Sequence, residues 1–263
     1  MSPFISRIVV AVIGLPVVLG LVWLGGWWLW VLAVAVGLIA LHEFYVMARP
    51  LRPLVLAGYT GLVLTLLGTQ LGGLVWMVGG FLTTLALAFL LKGISETRQS
   101  LTVAVATTVV GVAWTGFGLA FVLLLRGIAD HGRLAVFTVL LAVFAADTLA
   151  YFTGLLIGRH KLAPVMSPGK TWEGLVASTV AAVLVPFFAL YHQHFLTIGE
   201  SLVLGAVIAV TAPVGDLFES AVKRDLGVKD SGRLLAGHGG LLDRLDAPLF
   251  AVVAAYFTIL ALT

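Results

Sequence analysis

Long apolar runs are the feature of this sequence that most limits how the chain can fold. They recur from Ile8 to the carboxyl terminus, and about 20 apolar residues suffice for a helix to cross the hydrocarbon core of a bilayer. Only 10% of the residues are charged, against about 25% in a typical soluble domain. Because backbone groups in lipid must find their partners within the protein, such runs form helices. We therefore predict an all-α, polytopic transmembrane protein.

Gaps rich in glycine, proline and charge divide the apolar runs into about nine predicted spans. The first resembles a signal peptide, but no small-residue cleavage site follows it, so we expect a retained span. The third is short. The spans are residues 8–24, 27–47, 54–68, 74–91, 102–125, 134–157, 173–191, 202–222 and 247–262.

The distribution of Lys and Arg predicts a cytoplasmic amino terminus. With that orientation all but Arg126 and Arg133 of the 15 basic residues fall on the cytoplasmic side, as the positive-inside rule requires. We expect an amino-terminal membrane region over residues 1–133 and a catalytic membrane region over residues 134–263. The chain contains no cysteine, which excludes disulfides, thiolate metal sites and cysteine nucleophiles.

Half of the twelve acidic residues are concentrated in a short part of the chain. Carboxylates at the ends of membrane spans are costly to desolvate, which makes them functional candidates. The six are Asp216, Glu219, Asp225, Asp230, Asp243 and Asp246.

The spacing of these acids predicts two polar helix ends. On a helix, Asp216, Glu219, Ser220 and Lys223 share one face, because they stand at i, i+3, i+4 and i+7. Asp243 and Asp246 are likewise three residues apart, where the last span begins. Such oxygen ligands suit Mg²⁺, which completes its shell with water and substrate phosphate. The alternative is that the acids only pair with neighbouring Lys and Arg.

A glycine-rich run lies between the two acidic ends. Glycines in the Gly237-His238-Gly239-Gly240 run let a backbone approach a ligand closely and offer N–H groups to anions. Taken alone, the run fits a flexible turn equally well.

Two stretches carry recognisable patterns: residues 220–246, SAVKRDLGVKDSGRLLAGHGGLLDRLD, and residues 167–174, SPGKTWEG. Both resemble segments of the CDP-diacylglycerol synthases, also called phosphatidate cytidylyltransferases. The longer stretch matches the family motif at each element, except that Ala236 stands where the family usually has proline or glycine. Asp147 and Tyr151 resemble an upstream Asp-x-x-x-Tyr element, and we expect Asp147 to be a buried acid.

The resemblance implies transfer of a cytidylyl group from CTP to phosphatidate, giving CDP-diacylglycerol and pyrophosphate. It also implies Mg²⁺, held by Asp216 and Asp243, and it leaves a second, monovalent cation open. The residues predicted to be catalytic are Asp216, Lys223, Asp243 and Asp246. The residues predicted to bind substrate are Ser167, Lys170, Thr171, Ser220, Arg224, Lys229, His238 and Arg244.

The expected partners are CTP, phosphatidate and membrane lipid, with no nucleic acid; a homodimer is left open. We expect the protein in the cell (inner) membrane with its site facing the cytoplasm. Two other readings remain: a cytidylyltransferase for another lipid phosphate, and an ion-coupled transporter. Outside the motifs, the sequence favours a capped helix end for Glu43 over a position facing the active cavity. It favours an ordinary polar loop over a metal site for His192, His194 and Glu200.

Overall fold

The apolar runs form helices throughout the described part of the chain. The structure is a computed structural model that describes residues 14–94, 100–190, 193, 195–232 and 239–263. Short 3₁₀ turns cover Arg49–Leu51 and Leu242–Arg244, and α4 contains a π-helical turn at Ala113–Phe117. The helices are α1 Leu15–Leu24, α2 Gly26–Met47, α3 Val55–Ile94, α4 Leu101–Arg126, α5 Gly132–Ile157, α6 Trp172–Leu190, α7 Ile198–Asp225 and α8 Asp246–Leu262.

Among the described residues, six helices are long and apolar enough to cross a membrane. They are α2 to α7, whereas α1 and α8 are apolar but shorter. This confirms the helical membrane class that the apolar runs predict. The number of nine spans and the cytoplasmic amino terminus stay predictions.

The longest helix, α3, is a hairpin that bends back at two glycines. Gly72 and Gly73 have non-helical backbone angles, and Gly73 has a positive φ of 65°. In a straight helix, residues 64 and 80 would lie about 24 Å apart, yet a Cβ added at Gly80 would meet the backbone of Leu64. A Cβ at Gly61 would likewise meet Thr84. The turn therefore separates two helical arms where the sequence predicts spans 54–68 and 74–91.

A two-stranded hairpin departs from the all-α prediction. Strand β1, Lys161–Ala163, pairs antiparallel with β2, Ser167–Thr171. Trp172, the first residue of α6, donates its backbone N–H to the His160 carbonyl and so closes the hairpin. Strands of three and five residues are too short to show an alternating apolar pattern, which is the signal by which sequence predicts a strand.

The described chain forms two units, and the loop between α7 and α8 belongs to the first. Unit 1 comprises Met1–Gly127 and Leu226–Leu245; unit 2 comprises Ile128–Asp225 and Asp246–Thr263. In unit 1, α2 packs against α3 and α4. In unit 2, α5 packs against α6, α6 against α7, and α7 against α8. The division into residues 1–133 and 134–263 that we predict by role stays a prediction.

Small residues allow the helices to approach closely in both units. In α7 a Cβ at Gly205 would meet the backbone of Val183 in α6 at 2.6 Å. A Cβ at Gly215 would meet the Asp246 carbonyl oxygen at the start of α8. Close backbone approach is how membrane helices gain packing energy where lipid offers no hydrophobic drive. In unit 2 this packing brings the polar ends of α7 and α8 together.

The α3 hairpin can be tested with two adjacent glycines. Gly79 has open space around its Cβ position, whereas Gly80 faces Leu64 and Thr65 of the opposite arm. Overpacking costs about 1–3 kcal/mol, and replacing an open helical glycine by alanine gains up to about 1 kcal/mol. We expect Gly80→Ala to lower the thermal unfolding midpoint in detergent and Gly79→Ala to leave or raise it. Equal midpoints for the two variants would contradict the hairpin contact.

Candidate active site

Helix α7 carries the predicted polar face near its carboxyl end. Lys223 donates from Nζ to Oε2 of Glu219 at 2.7 Å, one helical turn away, as the spacing predicts. Glu219 is almost fully buried, with 1% of its surface exposed. A carboxylate this deeply buried needs a cation or a hydrogen-bond donor to offset its desolvation. Lys223 supplies both.

The start of α8 adds a second buried acid to this face. Asp246 is the first residue of α8 and is 9% exposed. Its side chain hydrogen-bonds with that of Glu219 and lies within electrostatic range of Asp216 and Asp147. Unit 2 therefore concentrates negative charge where α7 and α8 meet, and such a site favours cations.

The β-hairpin supplies a cation to the same cluster. Lys170, in β2, places its Nζ 2.6 Å from Oδ2 of Asp216, and the two side chains are 21% and 36% exposed. Arg224 donates from Nε to the Met166 carbonyl at the hairpin tip, at 3.3 Å. The hairpin, which carries residues 167–174, thus contacts α7 both at Asp216, four residues before residues 220–246 begin, and at Arg224 within them.

Other predicted residues of the hairpin and α7 have structural contacts or stand near the cluster. Thr171 is buried and its Oγ1 accepts a hydrogen bond from the Gly174 N–H at 3.1 Å, which caps the start of α6. Ser167 pairs with Ala163 in the hairpin. Ser220 is half-buried on α7. A substrate-binding role for Ser167, Thr171 and Ser220 stays a prediction.

In unit 1 the carboxylate of Asp243 is surrounded by backbone donors. Both of its oxygens accept from the Ser231 N–H at 3.2 Å, and Oδ2 also accepts from the Gly240 N–H at 2.8 Å. Through these bonds Asp243 links Ser231 to Gly240, on either side of the undescribed residues 233–238. Lys229 and Arg244, in the same unit, are exposed. His238 lies outside the described residues.

Glu43 has a role in the structure that the sequence did not predict. The capped-helix interpretation is wrong, because this side chain is buried and accepts hydrogen bonds from the far end of the chain. Its oxygens accept from the backbone N–H groups of Leu241 at 3.0 Å and Leu242 at 2.8 Å. The signal that could have found it is an acid within an apolar span, which needs a partner wherever it occurs.

The glycines of the loop fit around these two carboxylates. A Cβ at Gly232 or Gly240 would lie 2.5–2.6 Å from a Glu43 oxygen, and a Cβ at Gly239 would lie 2.7 Å from an Asp243 oxygen. Gly239 also has a φ of 82°, which L side chains rarely adopt. An anion therefore does approach the backbone of these glycines closely, as the sequence predicts. In the structure that anion is a carboxylate of the protein itself.

Asp147 differs from its prediction as a buried acid. It is exposed on α5, next to buried Ala146. Its side chain nevertheless lies within electrostatic range of Asp246. It therefore adds to the negative potential at the junction of α7 and α8.

A Mg²⁺ ion fits the acids of unit 2 only if a substrate completes its shell. Among the residues that the structure describes, no three His, Asp or Glu side chains form a group that could enclose a metal. Mg²⁺ commonly takes one or two carboxylates and fills its remaining positions with water and phosphate oxygens. Asp216 and Asp246 are oxygen donors of that kind. The other predicted ligand, Asp243, belongs to unit 1.

Comparison with known proteins gives one family over nearly the whole chain. Residues 5–262 match the model of the cytidylyltransferase family. A protein of Mycobacterium bovis named phosphatidate cytidylyltransferase is 35% identical over 262 residues, covering 94% of this chain and 85% of the relative. A protein of the same name from Staphylococcus haemolyticus is 35% identical over 251 residues, covering 94% and 95%.

A third relative matches about half of the chain. A Haemophilus influenzae protein, also named phosphatidate cytidylyltransferase, is 42% identical over 127 residues, which is 46% of this chain and 44% of the relative. The full-length matches include the amino-terminal spans, which the sequence motifs alone did not cover. The chain belongs to the cytidylyltransferase family.

Proposed function

We propose that this protein transfers the cytidylyl group of CTP to phosphatidate, forming CDP-diacylglycerol and pyrophosphate. The observation that carries the proposal is the ion pair between Lys170 and Asp216. It ties one motif stretch, residues 167–174, to the acid cluster on the helix that leads into the other, within a chain whose family match covers residues 5–262. The full-length relatives bear the name of this activity.

The chemistry of this reaction suits a site made of charged groups without a dedicated base. A phosphatidate oxygen, already ionised near neutral pH, attacks the α-phosphorus of CTP. The bond between the α-phosphorus and the bridging oxygen breaks, and pyrophosphate leaves with that electron pair. No proton has to be removed from the nucleophile. Phosphoryl-type transfer of this kind depends on positioning the reactants and neutralising their charge.

Mg²⁺ is the cofactor that we propose, with Asp216 and Asp246 as the acids of unit 2 that would hold it. When bound, it would neutralise phosphate charge and favour departure of pyrophosphate. Glu219 and Lys223 would keep Asp246 in place through the contacts described above. The role of Asp243 as a metal ligand stays a prediction.

The basic residues would bind the phosphates of the two substrates. Lys170 pairs with a part-exposed acid, so it can exchange that carboxylate for a phosphate at little cost in unsatisfied charge. Lys223 would keep buried Glu219 with one N–H group and offer another to a phosphate. Arg224, Lys229 and Arg244 are exposed and could meet an anionic headgroup. Basic groups at the membrane surface attract anionic lipid by about 1 kcal/mol each.

We also propose nine spans, a cytoplasmic amino terminus and a site that faces the cytoplasm of the inner membrane. The bias of Lys and Arg supports the orientation, and the α3 hairpin supports two crossings within residues 55–94. CTP is a cytosolic solute that cannot cross lipid, and phosphatidate presents its headgroup at the same interface. A site on this side therefore receives both substrates.

The activity can be tested directly with purified protein in detergent micelles. With phosphatidate, Mg²⁺ and CTP labelled at the α-phosphorus, we expect the label to enter a lipid product while pyrophosphate is released in equal amount. Chelation of Mg²⁺ should stop the reaction and its return should restore it. A polyprenyl phosphate as acceptor provides the comparison. Faster transfer to that acceptor than to phosphatidate would contradict the proposed substrate.

Replacing Asp216 tests the acid cluster. We expect Asp216→Asn to reduce kcat by about a hundredfold or more, because a neutral amide cannot share the charge of a metal held at phosphate. The matched control is Asp130→Asn, an exposed acid on the turn before α5. That control should keep wild-type rates. Full Mg²⁺-dependent activity in folded Asp216→Asn would refute the assignment.

Lys170 and Mg²⁺ should compete for Asp216. We expect Lys170→Gln to lower the Mg²⁺ concentration for half-maximal activity by about two- to fivefold, since a part-exposed ion pair contributes up to about 1 kcal/mol. We expect kcat to fall as well, because a phosphate ligand is lost. Lys161→Gln, on the other strand of the hairpin, is the control. An unchanged or higher Mg²⁺ requirement in Lys170→Gln would count against Asp216 as a ligand.

A further inference from the structure

In unit 1, two carboxylates hold both described ends of one loop. These ends, residues 231–232 and 239–242, are called the segment, and the carboxylates are those of Glu43 and Asp243. Ser231 donates its hydroxyl to Glu43 at 3.3 Å and its N–H to Asp243 at 3.2 Å. At the far end, the Gly240 N–H donates to Asp243 and the next two N–H groups donate to Glu43.

We propose that Glu43 is a positioning residue for the cytidylyl transfer reaction. It fixes the backbone of Leu241 and Leu242, the two residues that immediately precede Asp243. This inference rests on the proposed function for the role of Asp243, whereas the contacts themselves do not. Glu43 acts through the segment, and its contacts are with the segment's backbone and with Ser231.

Burial makes these hydrogen bonds strong and selective. Glu43 is 5% exposed, Ser231 is 3% exposed and Leu242 is fully buried. Hydrogen bonds with a charged partner are about twice as strong as neutral ones, and a low-dielectric surrounding strengthens them further. The two oxygens of one carboxylate accept from both backbone donors and from the hydroxyl. The donors of the segment thus match the charge and the two acceptor atoms of Glu43.

The glycines of the segment show that it is shaped around Glu43. A Cβ at Gly232 would lie 2.5 Å from Oε1 of Glu43, and a Cβ at Gly240 would lie 2.6 Å from Oε2. The same Cβ at Gly240 would also collide with the Ser231 hydroxyl. Any larger residue at 232 or 240 would force the Glu43 carboxylate or the atoms packed beside it to shift. Two positions of the chain thus stay without side chains so that this contact can form.

The test combines hydrogen exchange with steady-state kinetics on the full-length protein. Glu43→Gln keeps the size of the side chain but presents an NH₂ group to one of the N–H donors. We expect the amides of Leu241 and Leu242 to exchange at least about tenfold faster, and kcat/KM for CTP to fall by about ten- to a hundredfold with a clear rise in KM. A role in folding alone would lower the amount of active enzyme and leave KM unchanged.

The control is Glu200→Gln. Glu200 also accepts a hydrogen bond from a backbone N–H, that of Thr197 at 2.7 Å, but it caps the start of α7. The Glu200→Gln variant should change neither the KM for CTP nor the rate of amide hydrogen exchange in the segment. If Glu43→Gln does not yield folded protein, Gly240→Ala provides the same two readouts, because its Cβ displaces Glu43 without removing the charge. Gly199→Ala, with open space at its Cβ, is its control.

Each result decides the inference. Faster exchange together with a raised KM for CTP supports Glu43 as a positioning residue. Unchanged exchange in Glu43→Gln, or faster exchange with an unchanged KM, overturns it. A wild-type protein that exchanges slowly at Leu241 and Leu242 but transfers nothing from CTP would refute the proposed function and leave the contact itself in place.

Discussion

The desolvation of carboxylates is the constraint on which the rest of this structure depends. An acid held in or beside an apolar helix is stable only where donors or cations replace its lost water. Glu219 pairs with Lys223 and Asp216 pairs with Lys170. Glu43 accepts hydrogen bonds from backbone N–H groups. Lys223 lies on the same helix as Glu219, whereas the other two partners come from the hairpin and from the loop between α7 and α8. Asp216 and Glu43 therefore help to hold the hairpin and the loop against the apolar helices.

Apolar runs predict the helical class because a long apolar segment in a bilayer must satisfy its backbone hydrogen bonds within itself. The helical spacing of Glu219 and Lys223 predicts their contact for an equally local reason. Distant pairings carry no such signal. Glu43 and Leu242 are separated by most of the chain, so sequence could identify Glu43 as an unusual acid but not its donors. The β-hairpin was not predicted for another reason: its strands are too short to show a periodic apolar pattern.

The glycine-rich run illustrates a pattern that predicts a geometry but not its occupant. Glycine at 239 and 240 indicates close approach of an anion, and the structure has that approach. Sequence alone suggests a phosphate, since glycines and basic residues together are typical of phosphate-binding loops. Carboxylates make the same contacts with the same backbone groups. Distinguishing the two requires knowing which acids of the chain are buried nearby, and that is a tertiary property.

The two units use acids in opposite ways, and this division has a physical reason. In unit 1, Asp243 and Glu43 accept backbone hydrogen bonds, which order the loop. In unit 2, Asp216 and Asp246 lie near one another, with Asp147 within electrostatic range of Asp246. Their mutual repulsion is relieved by cations, and Lys170 is the one that the structure provides beside Asp216. Carboxylates whose oxygens all accept hydrogen bonds hold the structure in place. Carboxylates that lie close to other carboxylates keep an affinity for a further positive charge. The Mg²⁺-dependent transfer that we propose would use both kinds.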